Sequence, residues 1–105
     1  MIVTFDKDYL HDLYEKGMTT DKKYRFQPEV IDGYLKGILK LQDAEKIEDL
    51  YRYKSLNYEV LKGDKNGISS IRATKKYRIE FSVNYEGLEP VVTICNILEL
   101  SNHYK

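Results

Sequence analysis

Apolar residues recur along the first half of the chain at helical spacing and along the second half at strand spacing. Ile2 to Phe5 is a short β-type run that Asp6 ends. Within Asp8 to Lys16, Tyr9, Leu10, Leu13 and Tyr14 lie on one helical face, and Gly17 suits the residue that stops such a helix. The polar stretch from Gly17 to Tyr24 reads as a loop. Pro28 then marks a helix start, where its missing N–H has no intrahelical role. Val30, Ile31, Tyr34, Leu35, Ile38 and Leu39 follow at helical spacing, with Leu41 near the end. Gly33 and Gly37 weaken this helix by about 1 kcal/mol each relative to Ala. Close approach of another element or simple solvent exposure would each account for them. Ala44 to Leu50 reads as a shorter helical stretch.

From Asn57 the period changes. Tyr58 to Leu61 is strand-like, and Lys62 to Gly67 is dense in turn residues. Ile68 to Thr74 resumes as a strand, and Lys75-Lys76 makes a polar reversal. Tyr77 to Asn84 then alternates, with Tyr77, Ile79, Phe81 and Val83 on one face and Arg78, Glu80, Ser82 and Asn84 on the other. Tyr85 to Pro90 reads as a loop, and Val91 to Leu100 is an apolar run suited to a central strand. The order is that of an α+β layer arrangement. The 105 residues form one domain, residues 1–105, with no internal repeat.

Composition narrows the class. Seventeen basic residues offset seventeen acidic ones, 42% of the chain is hydrophobic, and one cysteine excludes an internal disulfide or Cys-rich metal site. Cys95, in an apolar strand, reads as a buried core thiol, and His11 receives no role. No apolar run is long enough for a membrane span, and the N-terminus has no secretory pattern, so a cytoplasmic protein without membrane contact is expected. Tyrosine is over-represented at ten residues, while Trp is absent. Tyr packs well in half-buried sheets and also pairs a stacking face with a hydroxyl.

Charge, neutral overall, is locally uneven. Lys62, Lys65, Arg72, Lys75, Lys76 and Arg78 face one acidic residue, Asp64, between positions 62 and 78. A reversal at Lys75-Lys76 brings Arg72 and Arg78 together on adjacent strands, away from the core. Two guanidiniums there are unfavourable unless an anion lies between them. An RNA phosphate would serve, with basic groups tracking the backbone and tyrosines stacking on bases. Metal-independent RNA cleavage needs the 2′-OH deprotonated, the phosphorane charge stabilised and the 5′-oxygen protonated. Arg72, Arg78 and Lys62 suit the second task, and His103 and Tyr104 the proton transfers. No metal-ligand spacing, phosphate loop or dinucleotide fingerprint is present, and no cofactor is expected.

The run Val60-Leu61-Lys62-Gly63-Asp64-Lys65-Asn66-Gly67, with Ser70-Ile71-Arg72 and Lys76-Tyr77-Arg78-Ile79-Glu80-Phe81 after it, resembles the "L-K-G-D-(R/K)-x-G-x-x-S-I-R … (Q/K)-(W/Y)-R-I-x-F" core of HigB toxins. These belong to the RelE/ParE superfamily of type II toxin–antitoxin systems. The ending from Ile97 to Tyr104 is similar to that family's terminal "E-I-x-D-Y-H". The resemblance spans roughly residues 58–104. It implies a RelE/ParE-like α+β fold, with an N-terminal strand and two to three helices packed on a curved antiparallel sheet of about four strands. It also implies a ribosome-dependent endoribonuclease that cleaves translated mRNA. A helix-turn-helix, HigA-like antitoxin encoded nearby would neutralise it, with DNA met only through that antitoxin.

Carried over by position, Lys62, Arg72 and Arg78 take the family's basic positions, and Asn102, His103 and Tyr104 stand at its terminal Asp, Tyr and His. Glu59 occupies the place where many relatives have a His. The catalytic set is therefore His103, Tyr104, Arg78, Arg72, Lys62 and Glu59. Lys65, Lys75, Lys76 and Asn102 are expected to contact RNA or ribosome. The reversed His-Tyr order and the non-ionising Asn102 leave the choice of base and acid open. Two alternatives stand beside this reading: a ParE-like gyrase poison, for which the C-terminal segment and basic face would serve binding alone, and, from those departures, a catalytically weak toxin acting mainly through its antitoxin.

Overall fold

The computed structural model describes residues 1–102. Strand β1 (Ile2–Phe5) leads into helix α1 (Asp8–Lys16), and helix α2 (Pro28–Asp43) follows a loop. Then come β2 (Glu59–Val60), β3 (Ser69–Arg72), β4 (Tyr77–Glu86) and β5 (Val92–Asn102). Among the described residues the five strands form one sheet in the order β1-β5-β4-β3-β2. From β2 to β5 the pairing is antiparallel, as the alternating patterns and turn residues predict. β1 departs from the expected antiparallel sheet of about four strands: it is a fifth strand, parallel to β5, with Ile2 opposite Ile94 and Phe5 opposite Ile97. No strand lies near β1 in sequence to make a hairpin with it, and the helices carry the chain across before the sheet resumes. β5 is therefore interior but not central; β4 holds the centre.

Both helices lie on one face of the sheet. Leu10 and Leu13 of α1 and Tyr34, Ile38 and Leu41 of α2 are buried against Ile71, Ile79, Phe81, Cys95 and Ile97 of the sheet. Gly17 ends α1 in the left-handed region at φ 70°, its N–H donating to the Leu13 carbonyl at 3.0 Å. The Tyr34 hydroxyl ties the helices together by donating to the Leu10 carbonyl at 2.7 Å.

Gly33 and Gly37 owe their place to close approach rather than exposure. A Cβ on Gly33 would strike the carbonyl oxygen of Ala73, and one on Gly37 would come within 2.6 Å of Ile79 Cδ1. The bare backbone at Gly33 lets α2 rest directly on the turn that follows Arg72, so helix packing fixes the height of that arginine. The stretch after α2 differs from the helix expected there. It forms 3-10 turns over Ile47–Arg52 and Lys54–Leu56. The Asp49 carboxylate accepts the backbone N–H groups of Glu45 and Lys46 at 3.1 and 3.2 Å, a local pattern that competes with an α-helix. Burial of Leu50 and Leu56 anchors it.

A register shift interrupts the β4–β5 ladder. Glu80 faces Glu99, but the next residue, Phe81, faces Ile97, so Leu98 is an extra residue on β5. Before it, Cys95 and Ile97 point to the core; after it, Leu100 does, and Glu99 and Ser101 move to the opposite face. β1 has ended by this point, and the Tyr9 hydroxyl accepts the Leu100 N–H at 3.2 Å. Burial, together with the nearby negative groups, pushes Tyr9 up from 10.0 to about 12.

Two stability outcomes follow. Gly33→Ala should destabilise the fold by about 1–3 kcal/mol, although helix propensity alone favours Ala; urea denaturation with a raised midpoint would contradict the packing described. Because Tyr9 is held neutral in the fold, stability is complete below its ordinary value and falls as pH rises from about 10 through 12. A pH series of thermal melts should show this alkaline limb, shallower in Tyr9→Phe.

Candidate anion site on the open face of the sheet

The face of the sheet turned away from the helices carries two cross-strand rows. One is Arg72, Arg78 and Ser101, the other Glu59, Ser70, Glu80 and Glu99. Arg72 and Arg78 are direct register partners, as the sequence pattern predicts, so they leave adjacent strands on the same face, and both line one recess. The anion beside them is part of the chain. Glu80 is 2% exposed and accepts a hydrogen bond from Arg78 Nε at 2.7 Å. Both its oxygens also take the Lys65 ammonium, at 2.9 and 3.0 Å, and Glu99 stands 3.8 Å from the same nitrogen.

This cluster satisfies what a buried carboxylate requires: two cations with direct hydrogen bonds. It also orients Arg78. With Nε committed to Glu80, the guanidinium has one edge fixed, and the rest of its planar fork is set by that bond. Arg72, exposed, makes no ion pair among the described residues. A recess of about 30 Å³ opens beside the pair, lined by Glu59, Ser70, Arg72, Thr74, Tyr77 and Arg78 among others. A recess of this size admits one or two water-sized groups. It suits the oxygens of a tetrahedral anion resting on the surface, not an engulfed ligand.

The predicted residues distribute unevenly around this point. Glu59, Arg72, Arg78 and Lys75 line the recess. Lys65 stands behind Arg78 as the partner of Glu80. Lys62 is exposed and does not line the recess. Lys76 is exposed in the β3–β4 turn, and Asn102 pairs with Tyr77 at the end of β5. His103 and Tyr104 lie outside the described residues. Sequence reasoning passed over Glu80, Ser70 and Glu99. The signal for Glu80 was present, since strand alternation puts it on the face of Arg78, two residues away. The Leu98 bulge that redirects Glu99 has no such signal in an apolar run. Tyr58, whose hydroxyl is 3.0 Å from Ser69 Oγ, has its ionisation pushed up by burial and belongs to the core side, not to this face.

A two-helix layer on one face of a five-stranded sheet, with paired arginines on the open face, defines a small α+β domain. A model of the HigB-like toxins, described as RelE-like toxin of type II toxin–antitoxin system HigB, matches residues 3–93. Toxin HigB-1 of Vibrio cholerae serotype O1 is 34% identical over 82 residues, which span 77% of this chain and 82% of that protein. The YoeB/ParE toxin from Agrobacterium tumefaciens shares the fold, with a TM-score of 0.53 and 23% identity over 99% of this chain and 100% of its own. The chain belongs to the HigB-like, RelE-type toxins of type II toxin–antitoxin systems. Membership implies an antitoxin partner. Among the described residues no helix is long and apolar enough to cross a membrane.

Removal of the internal anion should be costly. Glu80→Ala leaves Arg78 and Lys65 facing each other over a buried gap, and should destabilise by about 2–4 kcal/mol, below the upper range for buried pairs because Lys65 is partly exposed. Equilibrium unfolding checks this, and a loss below about 0.5 kcal/mol would mean the cluster is a surface pair.

Proposed function

We propose that this toxin is a ribosome-dependent endoribonuclease that cleaves translated mRNA by metal-independent acid–base catalysis. The observation that carries the reading is the Arg72–Arg78 register pair on the open face, both residues lining one shallow recess with Glu59 and Tyr77. A scissile phosphate seated there would place its non-bridging oxygens against two guanidiniums, where charge grows as the phosphorane forms. The chemistry needs no co-reactant. The ribose 2′-oxygen loses its proton and bonds to phosphorus, the bond to the 5′-oxygen breaks, and that oxygen takes up a proton. The products are a 2′,3′-cyclic phosphate and a 5′-hydroxyl.

Proton transfer falls to Glu59, His103 and Tyr104. Glu59 is at the recess as a carboxylate able to accept the 2′-OH proton. His103 and Tyr104 directly follow Asn102, which is two residues past Leu100 on the strand that carries Ser101 beside Arg78. His suits both donation and acceptance near neutral pH. The ribosome has a physical part in this scheme. A neutral chain whose local cations are already partly balanced by Glu80 and Glu99 has little to hold free RNA at physiological salt, so positioning must come from elsewhere. A HigA-like helix-turn-helix antitoxin completes the system and joins the toxin to operator DNA.

Purified protein added to a reconstituted translation system should cut mRNA only when ribosomes are present. Arg72→Ala and His103→Ala should each lower the cleavage rate at least about tenfold, the scale of one charge-stabilising or proton-transferring group. Intact mRNA with wild-type protein, and DNA breaks in its place, would instead identify a gyrase poison.

A further inference from the structure

Three of the ten tyrosines join Phe26 in a run of ring contacts. Tyr9 and Tyr24 stack with ring centroids 3.6 Å apart at an interplanar angle of 3°. Phe26 lies 6.3 Å from Tyr9, and its ring meets that of Tyr77 edge to face at 5.7 Å. This run of rings leads from α1 through the loop before α2 to the first residue of β4. It holds the loop 25–27 upright opposite the β3–β4 turn, and between the two opens a cleft of about 690 Å³. That volume lies within the range of small-ligand sites.

The lining has a consistent chemistry. Arg25, Lys75 and Lys76 bring three positive charges against the single carboxylate of Glu29. Phe26 and Tyr77 offer aromatic surface, and Gln27 offers an amide at the rim. Gln27 precedes α2 but its side chain makes no capping bond, so the amide is not used by the helix. Thr74, Lys75 and Tyr77 line both this cleft and the arginine recess, which makes the two cavities neighbours along one wall.

We propose that this cleft is a subsite for the nucleotide next to the scissile phosphate, with the base against Phe26 and Tyr77, its edge met by Gln27, and the adjoining phosphate held by Lys75, Lys76 and Arg25. Aromatic faces with interleaved cations are the means by which single-stranded nucleic acid is held, and amide side chains match the donor and acceptor edges of bases. An acidic peptide would use the cations but not the rings. The inference rests on the ribonuclease reading of the recess, because it assigns the neighbouring nucleotide of the same strand. It makes this cleft the place where sequence preference at the cut arises.

Two measurements test it. The first is a backbone-amide NMR titration at low ionic strength with a fully 2′-O-methylated trinucleotide, which cannot be cleaved. Shifts at positions 25–27 and 74–77, together with 72 and 78, are expected. Shifts confined to 70, 72 and 78, or none at all, overturn the subsite. The second maps cuts in translated mRNA for wild type and Gln27→Ala, a substitution at an exposed residue without a structural bond. Preference at one position beside the cut should relax by about tenfold. An unchanged cut pattern overturns the subsite while leaving ribonuclease activity standing. Trinucleotide shifts in the cleft of a protein that cuts no mRNA would keep the nucleotide site and reject the ribonuclease reading.

Discussion

Glu80 places one buried negative charge between Lys65 and Arg78 on the open face of the sheet. The carboxylate is almost wholly buried, and its hydrogen bonds to both partners lie between 2.7 and 3.0 Å. A charge so enclosed is tolerated only when paired, and each cation is in turn held where the carboxylate is. The consequence is a rigid Arg78 and a well-defined turn carrying Lys65. Arg72, opposite Arg78 in the ladder, remains exposed. The open face thus combines one fixed guanidinium with one available to an incoming anion.

Packing on the other face supports the same geometry. Gly33 brings α2 onto the backbone of Ala73, immediately after Arg72, and Gly37 admits Ile79, immediately after Arg78. Both arginines are therefore next to a residue pressed by α2. The β5 bulge works from the third side. One extra residue at Leu98 keeps Leu100 in the core while turning Glu99 and Ser101 to the open face, where Glu99 joins Lys65. Tyr9 fills the hydrogen bond left where β1 stops. Helix contact, bulge and buried charge are separate devices, and each acts within one or two residues of an arginine.

Much of this is readable from the chain alone. The helix from Asp8 to Lys16, the proline start of α2 and the strand run around Tyr77 to Asn84 follow from periodicity and capping. So does the meeting of Arg72 with Arg78, because a short polar reversal leaves few registers. The parallel place of β1 is not readable, since a four-residue run says nothing about which edge it joins. The 3-10 turns after Asp43 escape a periodicity argument because local bonds to Asp49 outweigh a weak apolar pattern. At the site, alternation placed Glu80 beside Arg78, but burial of an acid depends on Lys65 folding over it from a turn fifteen positions earlier. Lys62, favoured by motif position, does not line the recess; of the two turn lysines it is Lys65 that reaches Glu80.

The most direct test of the central claim is the hydrogen-exchange rate of the Arg78 and Arg72 Nε–H groups, followed by side-chain ¹⁵N NMR in wild type and Glu80→Gln. If Glu80 holds Arg78, its Nε–H exchanges slowly in wild type and markedly faster in the variant, while Arg72 exchanges rapidly in both. Equal, rapid exchange at the two arginines, unaffected by the substitution, would contradict the account.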